Sequence, residues 1–102
     1  MELIPNELKN TFPSLYEQDG KGSNAIAYVK IFTPDSNYTW FITEYSEEEN
    51  ICFGLITTLE EKELGYFSLD EIKDIKGPLG LKVERDISFK STKLKDLGFS
   101  YE

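Results

Sequence analysis

The sequence predicts an α+β domain: an antiparallel meander sheet of four to five strands with short helices, one of them capped and packed on one face of the sheet. Three observations predict it. β-Branched and aromatic runs of strand length recur between Ala25 and Ser68, with turn-forming residues between them. Ser68-Leu69-Asp70-Glu71 is a capping box, the local signature of a helix start. With 39% hydrophobic and 14% aromatic side chains over 102 residues, the chain has material for one core and too much apolar surface for a disordered acidic chain. The expected organisation is a single domain, residues 1–102. It has an N-terminal helix and lead-in over 1–16, a sheet with an inserted helix over 25–90, and a C-terminal turn over 91–102.

Each element has a local cause. Pro5 suits the first position of a helix, Leu8 and Phe12 lie four apart on its apolar side, and Pro13 stops it. Glu17 to Asn24, "EQDGKGSN", is rich in turn formers and lacks an apolar anchor, which predicts a mobile surface loop. "AIAYVKIFT" and "YTWFITEYS" predict a hairpin around Pro34-Asp35-Ser36-Asn37, with Pro at the second position of a type I turn. A turn at Glu47 to Asn50 leads into "ICFGLITT", and "LEEKE" separates that strand from the short strand "LGYFS". The capping box, with Phe67 and Ile72 as hydrophobic staple, predicts a helix from Leu69 to Lys76, ended by Gly77-Pro78. In "GLKVERDISFK", Leu81, Val83, Ile87 and Phe89 alternate with polar residues, which predicts a fifth strand with Arg85 on its apolar side. One helical turn with Leu94 and Leu97 precedes Gly98.

Composition excludes more chemistry than any motif supports. There is no histidine, which removes Ser-His-Asp and Cys-His arrangements, His-ligated zinc and the usual general base near neutral pH. The one cysteine, Cys52, has no partner for an internal disulfide and sits in an apolar run, so an inert buried thiol is expected. The net charge is −8, with nine acids and three bases in residues 1–50, and this disfavours direct binding to nucleic acid. The N-terminal residues have no signal-peptide pattern and no apolar run is long enough to cross a bilayer, so a soluble cytoplasmic protein is expected.

The blocks "MELIP", "FTPDSNYTWFITE", "FGLI", "ELGYFSLDEI" and "GPLGLKVERDISF" follow one another from Met1 to about Phe89. In them the chain resembles the bacterial and phage family catalogued as domain of unknown function 2958. The resemblance implies a small accessory protein of plasmids, phages and other mobile elements, a setting in which genes often counter host defence. It carries no catalytic residue or ligand over to this sequence.

Five groups of residues come into question for a site. In strand alternation Tyr38, Trp40, Ile42 and Glu44 share one face and Thr39, Phe41, Thr43 and Tyr45 the other, so both faces carry large rings. Either helices and loops cover both, or one face is an aromatic platform of the kind that anchors partners. Arg85 needs a carboxylate if buried, and Glu44 is the expected partner, as a structural ion pair or as an anion site beside the rings. Glu47, Glu48 and Glu49, with Glu60, Glu61 and Glu63, occupy two hairpin connections. They are either solvated turns or an acidic edge that imitates a phosphate backbone. At one charge per roughly 1.7 Å of duplex, a net charge of −8 matches only about 14 Å of DNA, so only a local patch could block a small site. Asp70 and Asp74 lack the company of a metal site, and Gly77-Pro78-Leu79-Gly80 follows a helix, whereas phosphate loops precede one.

The expectation from sequence is a non-enzymatic binding protein of a mobile genetic element, with no cofactor, no metal and no membrane association. Its partner is a protein with a basic or nucleic-acid-binding surface, and the candidate contacts are Tyr38, Trp40, Glu44, Tyr45 and the six glutamates. The first alternative is a small-molecule or anion-binding domain, or a carboxylate-based hydrolase, with a pocket around Trp40, Glu44 and Arg85. The second is a structural accessory module that oligomerises through a strand edge.

Overall fold

The computed structural model describes residues 2–99; Met1 of the "MELIP" block and the end of the expected C-terminal turn, residues 100–102, lie outside them. The elements are a short helix α1 (Asn6–Lys9), strands β1 (Ile26–Ala27), β2 (Val29–Phe32), β3 (Thr39–Ser46), β4 (Ile51–Thr57) and β5 (Lys62–Ser68), helix α2 (Leu69–Lys73), and strands β6 (Glu84–Arg85) and β7 (Thr92–Lys93). A 3₁₀ turn, Leu94–Leu97, follows.

Strands β2 to β5 form the expected meander, and β6 returns to the far side, giving one antiparallel sheet in the order β5-β4-β3-β2-β6. The β2–β3 turn forms as its residues require: Ser36 N–H donates to Thr33 O at 3.3 Å across Pro34-Asp35. The sheet is covered on both sides. On one, Leu3, Ile4, Leu69 and Ile72 pack over Val29, Ile31, Trp40 and Ile42, with Leu8 and Phe12 at the margin. On the other, β1 and β7 pair as a two-stranded ribbon, and Ala25, Leu94 and Phe99 close over Phe41 and Leu55. Two-sided burial accounts for rings on both faces of β3: Trp40 is 5% exposed and Phe41 9%.

Strand β3 contains a β-bulge. Ile42 pairs with Gly54 but Glu44 pairs with Phe53, which leaves Thr43 as the extra residue. The bulge corrects the face assignment made from strict alternation, because every side chain after it changes sides. Tyr45 joins Trp40 and Ile42 in the α2-side core. Glu44 goes to the opposite side, beside Phe53 and Leu64.

Other boundaries differ from the expected ones for identifiable reasons. The single strand expected over "AIAYVKIFT" breaks at Tyr28: β1 leaves to pair with β7, whereas β2 stays in the main sheet. Strand β5 starts at Lys62, before the expected "LGYFS", because the turn needs only residues 58–61. Ser68 caps α2 as the sequence predicts, accepting from Glu71 N–H at 3.3 Å. The helix nevertheless stops at Lys73 instead of Lys76, because Lys76 bridges to Lys82 to form a small loop. The turn residue Asp35 holds that loop, with Leu79 N–H donating to its Oδ2 at 2.7 Å and Gly77 packed against its carboxylate. The long fifth strand shrinks to Glu84–Arg85. Val83 enters one core and Phe89 packs on the other, while Leu81 and Ile87 are exposed, so the period of two was not a strand face.

The strands approach each other closely beside the bulge. A Cβ on Gly54 would run into the carbonyl oxygen of Phe41, whereas one on Gly65, its neighbour in β5, would make an ordinary contact with Ile56 Cδ1 at 3.7 Å. Gly54→Ala is expected to lower the stability of the fold by about 3 kcal/mol, and Gly65→Ala to change it by less than about 0.5 kcal/mol. Urea unfolding of the two variants beside the parent chain measures both.

Candidate functional site

The loop that follows α1 runs back across the sheet face opposite α2. Its sequence has no apolar anchor, but it has a polar one. Glu44, 3% exposed, accepts the backbone N–H of Tyr16 on Oε1 at 2.8 Å and that of Gln18 on Oε2 at 2.7 Å. Gln18 is itself buried, and its side-chain NH2 donates to Ile26 O at 2.9 Å and Thr43 O at 2.7 Å, while its Oε1 accepts from Ile26 N–H at 2.7 Å. Such a satisfied network holds loop and sheet in one arrangement. The expected mobile loop is therefore pinned at residues 16–18. It also places Tyr16 in the left-handed region at φ 73°, a conformation costly for a tyrosine and kept only because its surroundings impose it.

Between the pinned loop, β5 and the C-terminal 3₁₀ turn lies a cleft of about 890 Å³. Glu44, Thr43 and Phe53 form its floor, and Asp19, Asn24, Lys62, Leu64 and Tyr66 stand around it. Tyr16 and Tyr66 meet at its rim with ring centroids 6.2 Å apart, and Phe53 packs against Tyr66 at 4.7 Å. The Tyr66 ring is half exposed. Partial desolvation first, then a side-chain hydrogen bond with Tyr16 and the charges of Tyr16, Glu44 and Asp19, push its phenol above the usual value. It is a neutral hydroxyl at physiological pH, able to donate and accept but not to act as a base.

The structure disperses the sites expected from sequence. Trp40 is buried; Tyr38, 47% exposed, stacks on it at 5.9 Å, so the aromatic hairpin is core with one ring at its margin. Tyr45 is buried too, its hydroxyl donating to Asn50 Oδ1 at 3.0 Å, and burial first, then Cys52, Glu47 and Asp70, raise its pKa. Arg85, in β6, pairs with Ile31 of β2 and lies in a separate hollow with Lys30 and Tyr38, at the opposite sheet edge from the cleft. The expected Arg85–Glu44 pair is replaced: backbone N–H groups take both oxygens of Glu44, and β2 stands between the two residues' strands. In that hollow Lys30 pairs with Asp86 at 3.7 Å.

The glutamates also separate. Glu47–Glu49 lie in the β3–β4 turn and Glu60–Glu61 in the β4–β5 turn. Consecutive turns of an antiparallel meander fall at opposite ends, here a full β4 length apart, so the two groups do not form one acidic row. Of the second group, Glu63, the second residue of β5, lines the cleft. Sequence reasoning missed Gln18, Tyr16 and Tyr66. The bulge that brings Glu44 to them leaves no composition signal.

Cys52 offers no nucleophile. It is fully buried, and burial pushes its thiol up to about 12. Among the described residues no group of His, Cys, Asp and Glu side chains gathers to hold a metal, and no helix is long and apolar enough to cross a membrane.

A family model described as "Protein of unknown function (DUF2958)" matches residues 3–97, which contain every element from α1 to the final 3₁₀ turn. No curated protein and no solved structure matches the chain.

Two outcomes follow from this geometry. Glu44→Gln leaves one amide proton of the loop facing an NH2 group, and is expected to cost about 2 kcal/mol and to speed hydrogen exchange at Tyr16 and Gln18, readable by NMR. The folded chain keeps the Cys52 proton to about pH 12, while the unfolded chain releases it near its ordinary 9.0. The stability this gives is whole below pH 9 and is lost as pH rises toward 12, at up to ~1.4 kcal/mol per unit. Urea midpoints from pH 8 to 11 measure that slope, and Cys52→Ala is expected to flatten it.

Proposed function

The chain belongs to the DUF2958 family, and we propose that within it this protein is a non-enzymatic protein-binding domain whose contact surface is the rim of the cleft and the adjoining β5. The observation that carries the reading is the outer side of β5. Seven residues of regular strand pair with β4 on one side, and among the described residues no backbone bond is made on the other. Tyr66 and Tyr16, 53% and 65% exposed, stand beside this open edge and supply the aromatic area that protein contacts favour. The cleft floor supports the non-enzymatic part of the reading, since both oxygens of Glu44 are engaged in holding the loop, through the N–H groups of Tyr16 and Gln18.

In its finer form the partner is a host defence or nucleic-acid-handling protein with a basic surface, met in the cytoplasm by the product of a mobile genetic element. The net charge of −8 supports a basic partner. The arrangement of the glutamates does not support imitation of a phosphate row, so the partner's own protein surface is the target. A small polar molecule is the second reading, favoured by the cleft's volume of about 890 Å³ and its mixed lining.

Photocrosslinking tests the first reading. With p-benzoylphenylalanine in place of Tyr66, a discrete protein adduct is expected from a bacterial host lysate. The same group in place of Leu79, exposed on the Asp35-held loop away from β5, is expected to give none. Equal labelling at both positions, or none at Tyr66, rejects the proposed surface.

A further inference from the structure

An open strand edge binds another strand, and its charge decides which one. Here the edge is β5, about 23 Å long at ordinary strand rise. Its register with β4 is continuous from Ile51↔Ser68 to Thr57↔Lys62, so no bulge bends it away. It contains no proline. Lys62, the usual kind of edge guard, reaches away to Gly98 O at 3.1 Å. Among the described residues nothing pairs with its outer side, and the strand is left straight and available.

Its two ends are both acidic. Glu60, Glu61 and Glu63 stand at the start, and Asp70 and Glu71 follow the last residue; all five are exposed. With Lys62 as the one base, residues 60–71 carry a net charge of −4, half of the whole chain's −8. A second copy of β5 brings the same charge at both ends, so parallel and antiparallel self-pairing each set carboxylates against carboxylates.

Resting on the protein-binding reading above, we infer that β5 takes as a sixth strand an extended segment of another protein that carries Lys or Arg at both ends and an apolar residue near its middle. The ends meet the two carboxylate groups. The apolar residue meets Tyr66, which lies on the cleft side of the strand against Phe53. Main-chain hydrogen bonds along β5 supply attraction that any strand would feel, and the end charges supply the choice.

Two synthetic nonapeptides of alternating Thr and Val with a central Phe, one ended by Lys pairs and one by Glu pairs, test the inference on the full chain. The Lys-ended peptide is expected to slow amide exchange within residues 62–68 and to bind about tenfold tighter than the Glu-ended one, a preference that shrinks with salt. The triple variant Glu60→Lys, Glu61→Lys, Glu63→Lys, all at exposed positions that leave the fold intact, is expected to abolish that preference. Equal binding of the two peptides overturns the inference, as do shifts confined to the loop side of the cleft with β5 amides unprotected. Sedimentation of a dimer whose β5 amides are already protected without peptide overturns it in favour of a second copy. If Tyr66 crosslinks a protein while neither peptide protects β5, the basic strand is rejected and the protein-binding reading stands.

Discussion

One extra residue in β3 governs how the rest of the molecule is arranged. Thr43 is inserted opposite a regular β4, its hydroxyl donates to Phe53 O at 3.0 Å, and the residues after it exchange faces. Without that insertion Glu44 would point into the packed side with Trp40 and Ile42, where no donor is in place, and Tyr45 would face the loop. With it, a carboxylate arrives where two backbone N–H groups await it and a phenol ring arrives in the core. The close contact of Gly54 with the Phe41 carbonyl belongs to the same distortion, since the strands must draw together where the ladder is out of step.

The Glu44–Gln18 network shows how a polar group can do what an apolar anchor usually does. A buried carboxylate is costly unless its lone pairs are used, and here both oxygens are used by the segment that has to be held. Gln18 completes the arrangement by satisfying both the N–H and the C=O of Ile26. The cleft is preformed because its wall is fixed by hydrogen bonds within the chain, and any group that met Tyr16 and Tyr66 would find them already placed, at little ordering cost.

The sequence was legible where structure is decided locally. The meander, the Pro34-Asp35 turn, the capped start of α2 and the turn before Gly98 all follow from residues within a few positions of one another. It was misleading where distant contacts decide. The alternation of Leu81, Val83, Ile87 and Phe89 suggested one face, but Val83 and Phe89 serve different cores. The break at Tyr28 depends on a strand pairing with Thr92–Lys93, and no local property of "AIAYVKIFT" signals that pairing. Of the site, the chemistry of Glu44 and Arg85 was visible but their relation was not, because a single-residue bulge reverses a face without changing composition.

The ribbon of β1 and β7 joins residues separated by about 70 positions, with Leu94 N–H donating to Ala25 O at 2.9 Å. The meander closes by near-neighbour turns, but this second layer waits for a loop that contains most of the domain. The side of the sheet bearing the cleft is therefore completed by the strand pairing of greatest contour length among the described residues. An intermediate with a formed meander and an open ribbon would already display the β5 edge yet leave Phe41 and Leu55 uncovered. Such a species would be the sticky one on the folding route, and it is the closure of Ala25 onto Leu94 that covers Phe41 and Leu55.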